Sequence, residues 1–133
     1  MIDFSLTEEQ EALREMLRKF TQNEIIPVAA RYDREGEFAM DIVKKAYDVQ
    51  IMNASVPEAY GGGGMGCIED CILHEELSYG CSGVSTCIMT NLLAMAPILI
   101  AGTEEQKQQF LTPICTGPEP QFVSFCLTEP EAG

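Results

Sequence analysis

Four stretches of the chain carry side chains or spacings suited to chemistry. Cys67, Cys71 and His74 fall at i, i+4 and i+7, with Glu75 and Cys81 close behind. On a helix this spacing puts two thiols and an imidazole on one face, a donor set that suits zinc. Structural zinc sites draw paired cysteine knuckles from two segments, and the sequence has no second knuckle. Small buried thiols and a capping or surface histidine are therefore the expectation. Glu75 and Glu76 are a possible acid/base pair, but adjacent helical positions point about 100° apart and cannot share one proton. A solvated helix side is expected for both, with one of them able to reach a backbone amide at a buried helix end.

The third stretch, Gly61-x-Gly63-x-x-Gly66, has the dinucleotide-binding spacing. That motif works only between a strand and a helix of a βαβ unit, and neither the strand nor the unit is legible here. A flexible turn between helices is expected instead. The fourth is Thr128, which stands beside an acid and a proline where the chain must turn. Its hydroxyl either stabilises the turn or meets a ligand, and the pattern alone leaves both open.

The elements that position these residues are mostly helical. Thr7-Glu8-Glu9-Gln10 is a capping box, and Leu13, Met16, Leu17 and Phe20 follow as one apolar stripe. Pro27 ends or kinks that helix, and a short helical piece is expected from Val28 to Tyr32 before Gly36. Further helices are predicted over Met40–Val49, Cys67–Ser78, Ser82–Leu93 continuing or bending at Pro97, and from a second capping box at Thr103 to about Cys115. Gln121–Leu127 is β-like in its side chains and is predicted to be a strand. The fold class is thus all-α, a bundle of five to six helices with one lone strand after it.

With 21 acidic and 8 basic residues, the 133-residue chain carries a net charge of −13. That excludes nucleic-acid binding, which needs a positive surface against phosphates. A hydrophobic content of 46% excludes a disordered acidic tail. The six cysteines show no secreted framework, and the first residues lack the features of a signal or transit peptide, so reduced thiols are expected. No charge occurs from Leu77 to Thr103, yet the stretch contains polar residues and lacks a basic flank. A helix buried on most sides is expected rather than a membrane span.

Several segments together resemble the amino-terminal part of an acyl-CoA dehydrogenase, most of all the medium-chain type. They are Leu6-Thr7-Glu8-Glu9-Gln10, Glu24-Ile25-Ile26-Pro27-Val28-Ala29-Ala30, Pro57-Glu58-Ala59-Tyr60-Gly61-Gly62, Glu75-Glu76-Leu77-Ser78-Tyr79-Gly80-Cys81 and Gly102-Thr103-Glu104-Glu105-Gln106-Lys107. The most specific is Cys126-Leu127-Thr128-Glu129-Pro130-x-Ala132-Gly133, the first half of the family signature.

The resemblance implies an FAD-dependent oxidoreductase of fatty-acid β-oxidation that makes a trans-2 double bond in an acyl-CoA substrate. It implies a catalytic glutamate outside this chain, so no residue here is assigned as catalytic. It gives Phe125, Cys126, Leu127, Thr128 and Gly133 to the flavin edge, and Ser85, Met89 and Leu93 to the far end of the acyl pocket. An uncharged helix is the wall an alkyl chain requires, which agrees with the last assignment. The resemblance further implies a homotetramer in the bacterial cytoplasm or mitochondrial matrix. Electron-transfer flavoprotein would dock near Met65, Ile68 and Ile72. On this reading the chain is an amino-terminal fragment without activity of its own. Residues 1–117 form the helical domain, and 118–133 begin a middle β domain. A stand-alone helical interaction module and an acyl-CoA oxidase fragment are the alternatives.

Overall fold

The computed structural model describes residues 4–131. Helix α1 (Glu8–Phe20) opens on the expected box: the Gln10 amide donates to Thr7 Oγ1 at 3.2 Å, and the Thr7 amide donates to Gln10 Oε1 at 3.0 Å. Two of the helix's unpaired N–H groups are thereby satisfied.

The chain does not break at Pro27. A π-helical turn, Thr21–Ile25, hands α1 directly to α2 (Ile26–Glu35). Pro27 then lies in the first turn of α2, directly after the π-helical turn whose last bond runs from the Ile26 amide to the Thr21 carbonyl. The expected short piece is thus a full helix, because the wider turn absorbs the register change that proline imposes. The turn is anchored from outside: the Thr21 hydroxyl donates to the Glu76 carbonyl at 3.0 Å. Gly80 packs so closely here that a Cβ would collide with Thr21 and stand 3.0 Å from Ile25 Cγ2.

After α3 (Met40–Asp48) the chain runs irregularly through the buried residues Ile51, Met52, Asn53, Ala54 and Val56. A 3-10 turn at Glu58–Tyr60 leads into the glycine loop. That loop is not the flexible turn expected. Gly64 donates to the Val56 carbonyl at 2.8 Å and Met65 to the Ala54 carbonyl at 3.0 Å. A side chain at Gly62 would overlap the Val56 carbonyl. The glycines are there for close backbone approach, not for cradling a phosphate.

Helices α4 (Cys67–Gly80), α5 (Ser82–Ala101) and α6 (Glu104–Thr116) complete the bundle. The core has two parts strung along α5. Val84, Ile88 and Met89 of its first half join Leu17, Ile25, Val43, Leu73 and Leu77. Met95 of its second half joins Val56, Tyr60, Leu111 and Ile114. Pro97 is carried inside α5 without ending it.

Two expectations fail. Gln121–Leu127 lies outside any helix or strand, and no strand occurs among the described residues. A strand needs a partner's ladder, and none of the described elements supplies one. Helix α5 is long and apolar enough to cross a membrane, yet only 33% of its most apolar 18-residue stretch is buried. Leu93 and Ile100 are 62% and 84% exposed, so its outer face is not covered as expected.

Candidate functional site

Helix α5 is uncharged, and its residues at i, i+4 and i+8 share one face. Ser85, Met89 and Leu93 accordingly line one groove, of about 250 Å³. Ser85 and Met89 are buried, while Leu93 stands at the mouth. A second hollow of about 590 Å³ is lined by Phe38, Met40, Phe122 and Phe125 among others. The two meet at Thr90 and Leu93, which line both. Phe38 and Phe122 pack edge to face, with ring centroids 5.2 Å apart, and form an aromatic wall.

The last segment is held over α5 by one side chain. Asn91, fully buried, donates to the Gln121 carbonyl at 2.7 Å and accepts from the Val123 amide at 3.1 Å. It also donates to Asn53 Oδ1 at 3.1 Å, and Asn53 in turn donates to the Ile114 carbonyl at 3.4 Å. This network ties α5, α6, the buried loop and the segment from Gln121 together, and thereby places Phe122 and Phe125 beside Leu93.

The structure thus unites Ser85, Met89, Leu93 and Phe125 around one trough. Cys126, Leu127 and Thr128 are exposed and do not line it. The Thr128 hydroxyl has no hydrogen-bond partner among the described residues. Gly133 lies outside the described residues. Phe38, Met40, Thr90 and Phe122 line the trough without having been singled out from the sequence. Their periodicity marks them only as ordinary apolar or surface positions.

Other expected roles change. Glu76 is not solvated: it is 2% exposed, and both of its carboxylate oxygens accept from Arg18, one of them from Nη2 at 2.8 Å. The paired carboxylate raises the Arg18 pKa above its ordinary value. The Arg18 guanidinium also lies 4.5 Å from the Tyr79 ring centroid. Glu76 is therefore a structural anion and not half of an acid/base pair. Glu75 is exposed, as expected. Cys67, Cys71 and Cys126 are exposed and the other three cysteines half-buried, so the thiols are not the buried small hydrophobes expected. His74 is a surface residue whose Nδ1 lies 2.9 Å from the Asp70 carbonyl. Among the described residues no three His, Cys, Asp or Glu side chains are grouped to hold a metal. Ile72 is buried and unavailable for docking, whereas Ile68 is 56% exposed and Met65 is half-buried.

Comparison with known proteins gives this geometry a context. Residues 7–118 match the family model described as the acyl-CoA dehydrogenase N-terminal domain. The chain is 42% identical over 132 residues to the probable medium-chain specific acyl-CoA dehydrogenase 2, mitochondrial, of Caenorhabditis briggsae, covering 99% of this chain and 32% of that protein. The butyryl-CoA dehydrogenase structure from Megasphaera elsdenii superposes with a TM-score of 0.79 at 29% identity, over 99% of this chain and 35% of that one. An acyl-CoA dehydrogenase from Bacillus anthracis, solved in complex with FAD, superposes with a TM-score of 0.71 at 26% identity, over 88% and 20% of the two chains. The chain spans about a third of the length of the curated relative it matches. It has that family's helical fold and its sequence across nearly the whole match, and it belongs to the acyl-CoA dehydrogenase family by its N-terminal domain.

Proposed function

We propose that this chain supplies one wall of the acyl pocket, and part of the flavin edge, of an FAD-dependent acyl-CoA dehydrogenase. The observation that carries the reading is the trough itself: Ser85, Met89 and Leu93 line a groove that runs through Thr90 into a hollow walled by Phe125. An acyl chain needs an apolar wall leading up to the redox group, and α5 with Phe125 offers that continuity.

The residues present fit a flavin edge. Phe125 and Leu127 are exposed apolar side chains, 42% and 67% accessible, and suit a planar aromatic ring. The Thr128 hydroxyl and the neighbouring backbone offer hydrogen-bonding groups for the ring's polar rim. Phe125, Cys126, Leu127 and Thr128 would hold FAD there. FAD, when bound, supplies the two-electron acceptor for a hydride from the acyl β-carbon. The groove residues orient the acyl tail and exclude water from it. The base that removes the α-proton belongs to the remainder of the enzyme.

The same reading divides the chain into a helical domain over 1–117 and the start of a second domain over 118–133. The end of α6 at Thr116 supports that boundary. On the same proposal the remaining domains, in a homotetramer, would cover the exposed outer face of α5. The electron-transfer flavoprotein would dock at Ile68 and Met65, the accessible apolar residues ahead of and within the start of α4. The free thiols agree with the bacterial cytoplasm or the mitochondrial matrix.

The test is anaerobic mixing of the FAD-loaded full-length protein with saturated acyl-CoAs of graded length. Bleaching of the flavin with formation of the trans-2-enoyl thioester is expected. Unchanged flavin absorbance with every thioester would contradict the reading.

A further inference from the structure

We infer that Ser85 determines specificity by hydrogen-bonding a neutral polar group on the acyl tail, so that the pocket favours chains with a hydroxyl or keto oxygen remote from the thioester. The inference rests on the acyl-CoA reading above and goes beyond it in naming the substrate's tail.

Ser85 is 2% exposed, yet its hydroxyl has no hydrogen-bond partner among the described residues. No fully enclosed side-chain nitrogen or oxygen lacks a partner among those residues. The Ser85 oxygen therefore is not sealed in, and the opening available to it is the groove it lines. Buried hydroxyls in proteins are almost always bonded, because an unmade bond leaves the desolvation uncompensated. Its neighbour Thr86 shows the usual solution, donating back to the Ser82 carbonyl at 2.9 Å. Ser85 does not fold back in this way, and its hydrogen-bonding capacity stays available to whatever fills the groove.

The rest of the wall mixes further hydroxyls with apolar side chains. Ser78, Ser82, Thr86 and Thr90 line the groove with Ser85, and only Met89 and Leu93 are apolar. An alkyl chain alone would leave the buried Ser85 hydroxyl facing hydrocarbon. The apolar residues lie on the side of the Phe125 hollow, and Ser85 lies eight residues up the helix from Leu93, about 12 Å at the helical rise. A polar atom that meets Ser85 is therefore far from the thioester end.

Charge decides which polar group fits. The groove has no Lys or Arg in its lining, and the chain carries −13. His74, the one ring at the edge, is turned to the Asp70 carbonyl and lies 3.9 Å from the Asp70 carboxylate. A tail carboxylate would meet no lysine or arginine there and would face the Asp70 carboxylate beside His74, whereas serine both donates to and accepts from a neutral oxygen.

The test is equilibrium binding to the FAD-loaded full-length protein, wild type and Ser85→Ala. The probes are non-oxidisable CoA thioethers of matched tail length, ending in methyl, hydroxymethyl or carboxylate. The affinity ratio between probes is read within each variant, so a general loss of binding cancels. At the length that reaches Ser85, the wild type is expected to favour the hydroxyl tail over the methyl tail by about tenfold. Ser85→Ala is expected to bring that ratio close to one. Equal affinities in the wild type, a preference for the carboxylate, or a hydroxyl preference that survives Ser85→Ala would overturn the inference while leaving the acyl-CoA reading intact. Failure of the wild type to bind any of the probes would overturn both.

Discussion

Asn91 stands to Val123 as a neighbouring strand's peptide would. Its carboxamide accepts the Val123 amide at 3.1 Å and donates to the Gln121 carbonyl at 2.7 Å. One side chain in the middle of a helix thus supplies two bonds that a β partner would otherwise make, and it fixes Phe122 and Phe125 against the trough.

Asn91→Leu keeps the volume and removes those bonds. The part-buried Val123 amide and Gln121 carbonyl it now serves would lose their partners, at a cost of about 1–2 kcal/mol. Hydrogen exchange is expected to show the Val123 amide losing protection while the amides of α1 and α4 keep theirs. Retained protection at Val123 would mean that the segment is held by something other than Asn91.

Arg18 and Glu76 join α1 to α4 beside the π-helical turn. Arg18→Met leaves the Glu76 carboxylate buried without its cation and is expected to destabilise the chain by about 3 kcal/mol, read by thermal or urea unfolding. The double change Arg18→Met with Glu76→Gln is expected to recover part of that loss, because the uncompensated charge is gone. A double variant no more stable than Arg18→Met would show that the charge is not the cause.

Acid should weaken the fold through three carboxylates. The Tyr32 hydroxyl holds the Asp41 pKa below its ordinary value, and the Gln10 side chain does the same for Glu69. Glu105 is lowered by its own backbone amide and by Thr103 at the start of α6. A folded-state pKa below the unfolded value means that stability is fully present above the unfolded pKa, about 4, and is lost as pH falls through the folded one. Melting temperature is therefore expected to fall as the pH drops below about 4. Asp41→Asn should make that fall shallower. An Asp41→Asn protein with the same acid slope as the wild type would remove Asp41 from the explanation.

Met89 fills the groove between Ser85 and Leu93. Met89→Ala opens space in which each further buried methylene contributes about 0.8 kcal/mol. The kcat/KM optimum of the full-length enzyme is expected to move toward longer acyl chains. An unchanged profile across chain lengths would show that Met89 does not face the substrate.

Much of the bundle was legible because its signals are local. Both capping boxes form, at Thr7 and Thr103, and the helices fall close to where the apolar stripes put them. The spacing of Ser85, Met89 and Leu93 was likewise enough to place them on one wall. What was not legible depends on partners distant in sequence. Glu76 looked like a surface acid until Arg18, fifty-eight positions away, was brought against it. The glycine loop looked mobile because nothing local reveals that Val56 and Ala54 press upon it. Gln121–Leu127 has strand-like side chains, but strand formation is decided by an edge to pair with, and here the pairing comes from Asn91. That residue did leave a trace: an asparagine inside an otherwise apolar helix must find hydrogen bonds when buried.

In the function proposed above, α5 and Phe125 form one continuous path from acyl tail to flavin. The most direct measurement is a crystal structure of the full-length protein with FAD and a saturated acyl-CoA thioether. The acyl tail is expected to lie along Ser85, Met89 and Leu93, with the flavin edge against Phe125 and Thr128. A tail lodged away from α5, or a flavin that leaves Phe125 and Thr128 untouched, would contradict it.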